Sequence, residues 1–200
     1  MKLVVVTGSH RVNSESERIG RLLAARAEEQ SLFEQVEILS LSSNPLPLWD
    51  EAIFSDGETW KQLLAPWRKT LKEADALIVV SPEWNGMVPA GLKNFFLIFG
   101  AAQLGHKPAL IVAVSSGQGG SYPVAELRMS SYKNSRLCFL PEHLIIHHAD
   151  TALIGQDGEA DEYLLSRTDY CLKLLREYGV GLSHVRSSGV IDHQTFRNGM

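Results

Sequence analysis

Two hundred residues with 44% hydrophobic and 21% charged side chains describe one soluble globular domain, with enough chain to cover a core on both faces. Against 23 acidic residues stand 19 basic ones, a formal charge of −4, so neither nucleic acid nor an anionic membrane finds a basic surface to bind. No apolar run approaches the roughly 20 residues of a membrane span, and the N-terminal run is too short for a signal peptide. The two cysteines, Cys138 and Cys171, lack metal-ligand spacing, which argues against a disulfide framework or zinc site and for a reducing cytoplasm.

In chain order, Lys2 to Thr7 is short, continuously apolar and β-branched, and ends at Gly8, the pattern of a buried strand. A helix is predicted from about Ser14 to Glu29, with Ile19, Leu22, Leu23 and Ala27 on one face. Ser14 and Glu17 stand at capping-box spacing. A strand near Val36 to Leu41 follows, then a loop from Asn44 to Glu58 whose two prolines and length suit a lid or binding segment. The next helix, about Thr59 to Glu73, contains Pro66, which should kink or divide it.

Ala76 to Ser81 is a second doubly buried strand, and Pro89 opens a helix carrying Leu92, Phe95, Phe96, Leu97 and Phe99. That helix has more bulky apolar surface than one core-facing stripe needs, which suggests a subunit contact. Ala109 to Ser115 is the third buried strand. A helix near Tyr122 to Arg136, a strand near Leu144 to His147 and a helix from about Glu159 to Tyr178 complete the domain, taken as residues 1–180. The polar tail, 181–200, reads as poorly ordered or docked on a partner. Strands alternating with helices predict a parallel, doubly wound α/β sheet of about five strands.

Ligands of such sheets bind beyond the carboxyl ends of the strands, where strand order reverses. Three unusual loops leave strands at that edge: GSHRVNS (Gly8 to Ser14), SPEWNGMVPAG (Ser81 to Gly91) and SSGQGGSYP (Ser115 to Pro123). The first joins small hydroxyls, free backbone N–H groups and Arg11 to a helix N-terminus, a combination suited to one terminal phosphate. It lacks the lysine of the nucleoside-triphosphate loop and the spacing of the dinucleotide fingerprint. Taken alone, the same loop is equally a well-capped helix with an exposed arginine. Trp84 in the second loop offers a flat apolar face, or simply closes the core. The glycines of the third permit close backbone approach, or make a plain turn. His147, His148 and Asp150 form too small a set for a metal site, Cys138 sits among apolar neighbours as an inert thiol, and His10 reads equally as ligand contact or solvent-facing.

Taken together, these residues resemble the NADPH-dependent FMN reductase family. GSHRVNSES is similar to its phosphate loop, PEWNGMVPAGLKNFF to its PEYNxSxPGxLKNAID segment, and SSGQGG to its serine-and-glycine loop. The resemblance covers roughly residues 1–178. It implies a flavodoxin-like sheet of order 2-1-3-4-5, bound FMN, and a homodimer or homotetramer. By position it implies that Ser9, Arg11, Ser14 and Ser16 hold the phosphate. Pro82, Glu83, Trp84, Asn85 and Gly86 would line the flavin ring, and Ser115, Gly117 and Gly120 would close the other side. Trp84 stands where the family has tyrosine, Ser16 where it often has asparagine. The implied activity is hydride transfer from NADPH through FMN to a small-molecule acceptor: a quinone, azo or nitro compound, metal oxyanion or free flavin. No side chain acts as a nucleophile. A flavodoxin-like electron carrier and a flavin-free phosphate-binding regulatory protein remain as alternatives.

Overall fold

The computed structural model describes residues 1–55, 58–154 and 159–199; positions 56–57 of the predicted lid loop and position 200 of the tail lie outside them. Five parallel strands form one sheet of order β2-β1-β3-β4-β5. They are β1 (Lys2–Thr7), β2 (Gln35–Ser40), β3 (Ala76–Pro82), β4 (Pro108–Val114) and β5 (Cys138–Ile146). Every residue of β3 and β4 is buried, as expected for strands covered on both faces.

The period-two alternation of strands sorts the core into two layers. Val4, Val6, Leu77, Val79, Ala109 and Ile111 pack on one side with α3 (Glu58–Glu73), α4 (Ala90–Ile98) and α6 (Ser121–Ser130). Leu3, Val5, Ile78, Val80, Leu110 and Val112 pack on the other with α1 (Glu15–Glu29) and α7 (Glu159–Ser187). Two single turns, α2 (Ala52–Ser55) and α5 (Ala101–Leu104), complete the set. Among the described residues no helix is long and apolar enough to cross a membrane.

Several expectations need correction. Pro66 lies inside an undivided α3; it is exposed, so the carbonyl it leaves unpaired at exposed Gln62 is open to water. Strand β5 begins at Cys138, six residues before the predicted start at Leu144, because a register shift opposite Ala109–Ile111 interrupts its apolar pattern. The Arg128 guanidinium takes up the carbonyls freed there, donating to Leu140 O at 2.6 Å and Pro141 O at 3.1 Å. Helix α6 stops at Ser130 rather than near Arg136, where the Ser131 and Ser135 hydroxyls donate back to Leu127 O (2.7 Å) and Ser131 O (2.6 Å).

Helix α7 runs nine residues past the predicted Tyr178, to Ser187. Arg186 near its end donates to Asp75 Oδ1 and His106 O, both at 3.2 Å. The chain beyond turns back onto its own domain: His193 meets His106 with Nε2 atoms 3.3 Å apart, and Gly199 N donates to Asn134 Oδ1 at 3.1 Å. Phe95 on α4 and Phe99 at its C-cap are fully buried in the core. The apolar surplus inferred there shrinks to Leu97, 64% exposed, and part of Phe96. Cys171 is buried and Cys138 half-buried; burial raises both thiol pKa values.

Candidate functional site

Parallel pairing brings the ends of β1, β3, β4 and β5 to one edge of the sheet, and β1 lies at the reversal of strand order. A cavity of about 210 Å³ opens there, lined by Ser9, Arg11, Asn13, Ser14, Glu15, Ser16, Pro82, Glu83, Trp84, Val114, Ser116, Ala149 and Asp150. All four phosphate-loop residues inferred from the sequence, Ser9, Arg11, Ser14 and Ser16, share this cavity with Pro82, Glu83 and Trp84. Asn85, Gly86, Ser115, Gly117 and Gly120 do not line it.

The phosphate-loop end is built from the start of α1. Ser14 is its N-cap, its hydroxyl accepting from Glu17 N at 3.2 Å. The reciprocal half of the capping box does not form, because the Glu17 carboxylate pairs with Arg21 at 2.7 Å. Glu15 and Ser16 are the first helical residues, and no intrahelical carbonyl precedes them to accept their N–H groups. Ser9 and Ser16 are 2% and 1% exposed, whereas Arg11 is exposed and its guanidinium has no acidic partner among the described residues. Oriented amides, hydroxyls and an uncommitted cation fit a phosphate group; the same donors have little use for a neutral ligand.

The loop after β3 is a tight two-residue hairpin. Trp84 N donates to Met87 O and Met87 N to Trp84 O, both at 3.0 Å. Asn85 and Gly86 between them take φ of 51° and 73°, the left-handed pair such a turn requires and Asn-Gly supplies. Glu83 reaches across to the loop after β4, where Gly120 N donates to its carboxylate. The Ser115 hydroxyl accepts from Gly117 N and Gly119 N, both at 3.2 Å. Ser115, Gly117 and Gly120 therefore organise this loop, and Ser116 is the member that faces the cavity.

Sequence reasoning missed the fourth wall, Ala149 and Asp150 in the loop after β5. It is held by Arg18, whose guanidinium donates to Glu15 Oε2 (2.6 Å) within α1 and to Ala149 O (2.6 Å) and Ala152 O (2.9 Å) far along the chain. A loop leaving a strand at the same edge was the signal available. The lid segment is also fastened. Asn94, 5% exposed, accepts from Trp49 N and donates to Pro47 O, each at 2.7 Å. His10 lies outside the cavity lining and is partly exposed; its Nδ1 is buried without a partner among the described residues, and its ring meets Trp84 edge-on at 4.5 Å. Among the described residues no group of three or more His, Cys, Asp or Glu could hold a metal.

A sequence profile described as NADPH-dependent FMN reductase matches residues 1–151. A quinone reductase of Pseudomonas putida (strain KT2440) is 32% identical over 126 residues, 60% of this chain and 63% of that protein. The match thus spans less than two thirds of that relative. A 2-hydroxy-1,4-benzoquinone reductase of a Burkholderia species is 29% identical over 164 residues, covering 79% of this chain and 84% of that one. Among solved structures, a flavoenzyme NAD(P)H:(acceptor) oxidoreductase from Paracoccus denitrificans superposes with a TM-score of 0.70 at 20% identity, covering 88% of this chain and 98% of that one. At that identity the likeness speaks for the fold alone.

Proposed function

We propose, from the premise that this chain belongs to the NADPH-dependent FMN reductase family, that it is an FMN-dependent NAD(P)H oxidoreductase reducing a small-molecule acceptor. Its relatives' names favour quinone and azo compounds among such acceptors. The observation that carries the reading is the cavity itself, in which a built anion cradle and a flat aromatic wall stand side by side.

FMN, when bound, supplies the hydride chemistry. The Ser9 and Ser14 to Ser16 segment and Arg11 hold the phosphate, and the first-turn amides of α1 add their dipole. Pro82, Glu83 and Trp84 would form the ring wall, the Asn85–Gly86 turn would hold Trp84 in place, and Ser115, Gly117 and Gly120 would keep the facing loop in position. With the ring held against Trp84, the open side of the cavity would be left to hydride donor and acceptor in turn. No side chain of the cavity is asked to form a bond. The exposed Leu97 (64%) and the partly buried Phe96 line a groove between α4 and α6, which supports a homo-oligomer formed through this face.

The test is an FMN titration of purified protein, followed by NADPH oxidation with a quinone acceptor. Saturable binding and many turnovers, with parallel lines in a double-reciprocal plot, are expected. Bound FMN without steady-state NADPH or NADH oxidation, with any of quinone, azo compound or free flavin, would make the protein a carrier. Sedimentation equilibrium at micromolar concentration checks the assembly, and a monomer there ends that part of the proposal.

A further inference from the structure

His10 lies between Ser9 and Arg11, yet its side chain is not among those lining the cavity that these two share. The imidazole leaves the loop on the opposite side, toward the start of α4. There its Nδ1 would lie 3.2 Å from a Cβ on Gly91, so the absence of a side chain at position 91 is what admits it. The nitrogen is buried and accepts or donates no hydrogen bond among the described residues. The far side of the ring abuts Trp84, with centroids 4.5 Å apart and planes at 82°. The backbone under this wedge is also tied down, since His10 O accepts from Ser43 N at 3.2 Å.

Trp84, by contrast, has its backbone fixed by the hairpin and its indole fixed by little. The indole N–H has no hydrogen-bond partner among the described residues, and the side chain is half-exposed. Rotamer choice at Trp84 therefore rests on packing, and an edge-to-face aromatic contact is directional enough to impose it. A histidine whose buried nitrogen goes unused presents its ring to Trp84 as a flat spacer. We propose that His10 is a positioning residue: wedged between Gly91 and Trp84, it braces the indole that forms the ring wall, and so couples the phosphate loop to the ring side of the site.

The inference rests on the FMN reading, and the two fail differently. FMN and riboflavin affinities are measured for the unaltered protein, His10→Ala, His10→Phe and Arg11→Ala. His10→Ala should weaken FMN and riboflavin by the same factor, about threefold to tenfold, the range one aromatic pair supports. His10→Phe should restore most of the loss, because an aromatic edge and not a nitrogen is required. Arg11→Ala should weaken FMN and leave riboflavin unchanged. In a Trp84→Ala background, His10→Ala should add nothing further. Loss of FMN affinity alone in His10→Ala would place His10 on the phosphate and overturn the proposal, as would unchanged affinity for both ligands. If the unaltered protein binds no flavin, the reductase reading falls. The brace is then decided in the apoprotein by near-ultraviolet circular dichroism: the band removed by Trp84→Ala must be lost in His10→Ala and kept in His10→Phe.

Discussion

The two ends of the sheet are built to opposite standards. At the amino ends of the strands, charges are matched one by one. Lys2 pairs with Glu37 at 2.7 Å and Glu73 at 3.2 Å, the N-terminal amine with Glu34 at 2.7 Å, and Arg186 with Asp75 at 3.2 Å. Lys107, 6% exposed, spends its ammonium on Leu71 O and Lys72 O at 2.6 and 2.9 Å, although burial and the neighbouring Arg186 bring its pKa down to about 8. At the carboxyl ends, Arg11 is unmatched and the first amides of α1 are free. Of the three buried polar side-chain atoms without a partner among the described residues, Thr7 Oγ1 and His10 Nδ1 lie there, and only Arg136 Nε lies at the other end. Neither Thr7 nor His10 lines the cavity, so it is the exposed Arg11 and the uncommitted first amides of α1 that mark where a ligand is meant to arrive.

The sharpest way to break this contrast uses two glycines. A Cβ on Gly8, beside the cradle, would stand 2.6 Å from Leu92 Cδ2 and 2.8 Å from the backbone oxygen of Val80. Neither can move without disturbing the sheet or α4. Gly8→Ala should therefore cost about 1–3 kcal/mol of stability and abolish tight FMN binding. At the quiet end, a Cβ on Gly179 would meet Met1 Cε at 2.4 Å, the free tip of a flexible side chain. Relief of a glycine inside a helix is worth up to about 1 kcal/mol, so Gly179→Ala should be neutral to stabilising. Thermal unfolding of both apoproteins checks this, and equal losses would erase the distinction.

A second prediction separates binding from stability at the cradle. Arg11→Ala should weaken FMN at least tenfold, about 1.4 kcal/mol, while the unfolding free energy of the apoprotein stays within about 0.5 kcal/mol, as for other exposed sites. Calorimetric titration beside thermal melts would decide it; a large loss of stability would mean that Arg11 holds the loop rather than its ligand.

The smallest effect belongs to the amino end. Burial, then His193, Arg136 and Arg186, depress the pKa of His106 below its usual 6.5. Its depressed value means that the unfolded chain takes up the proton first, so stability is full above pH 6.5 and declines as pH falls through the folded-state value. Once the pH dependence of the intrinsic amide exchange rate is divided out, protection across residues 188–199 should fall between pH 7 and pH 5, by less than tenfold (~1.4 kcal/mol). His193→Asn should flatten that slope, and an unchanged slope would show that the histidine pair does not hold the tail.

What could be read from the sequence was whatever short spacing decides. Strands β1, β3 and β4 announced themselves because burial on both faces leaves an unbroken apolar run, and Ser14 because an N-cap and the amide it receives are three residues apart. The Asn85–Gly86 turn is equally local. The rest depends on partners far along the chain: Arg18 reaches Ala149 across 131 positions, and Asn94 holds Pro47 across 47. Neither residue type nor spacing hints at such clasps. Helix α7 was cut short for a related reason, since glycines at 179 and 181 weaken a helix by propensity, and the anchorage of Arg186 to Asp75 outweighs them. Strand β5 was shortened because Pro141, Glu142 and His143 hide its period.

The half-buried Cys138 and buried Cys171 acquire a meaning from the proposed substrates. Quinones are electrophiles that add to thiolates, and the thiolate is the reactive form of cysteine. Burial moves both sulfurs away from that form, which would make them poor targets for the electrophilic quinones proposed as substrates.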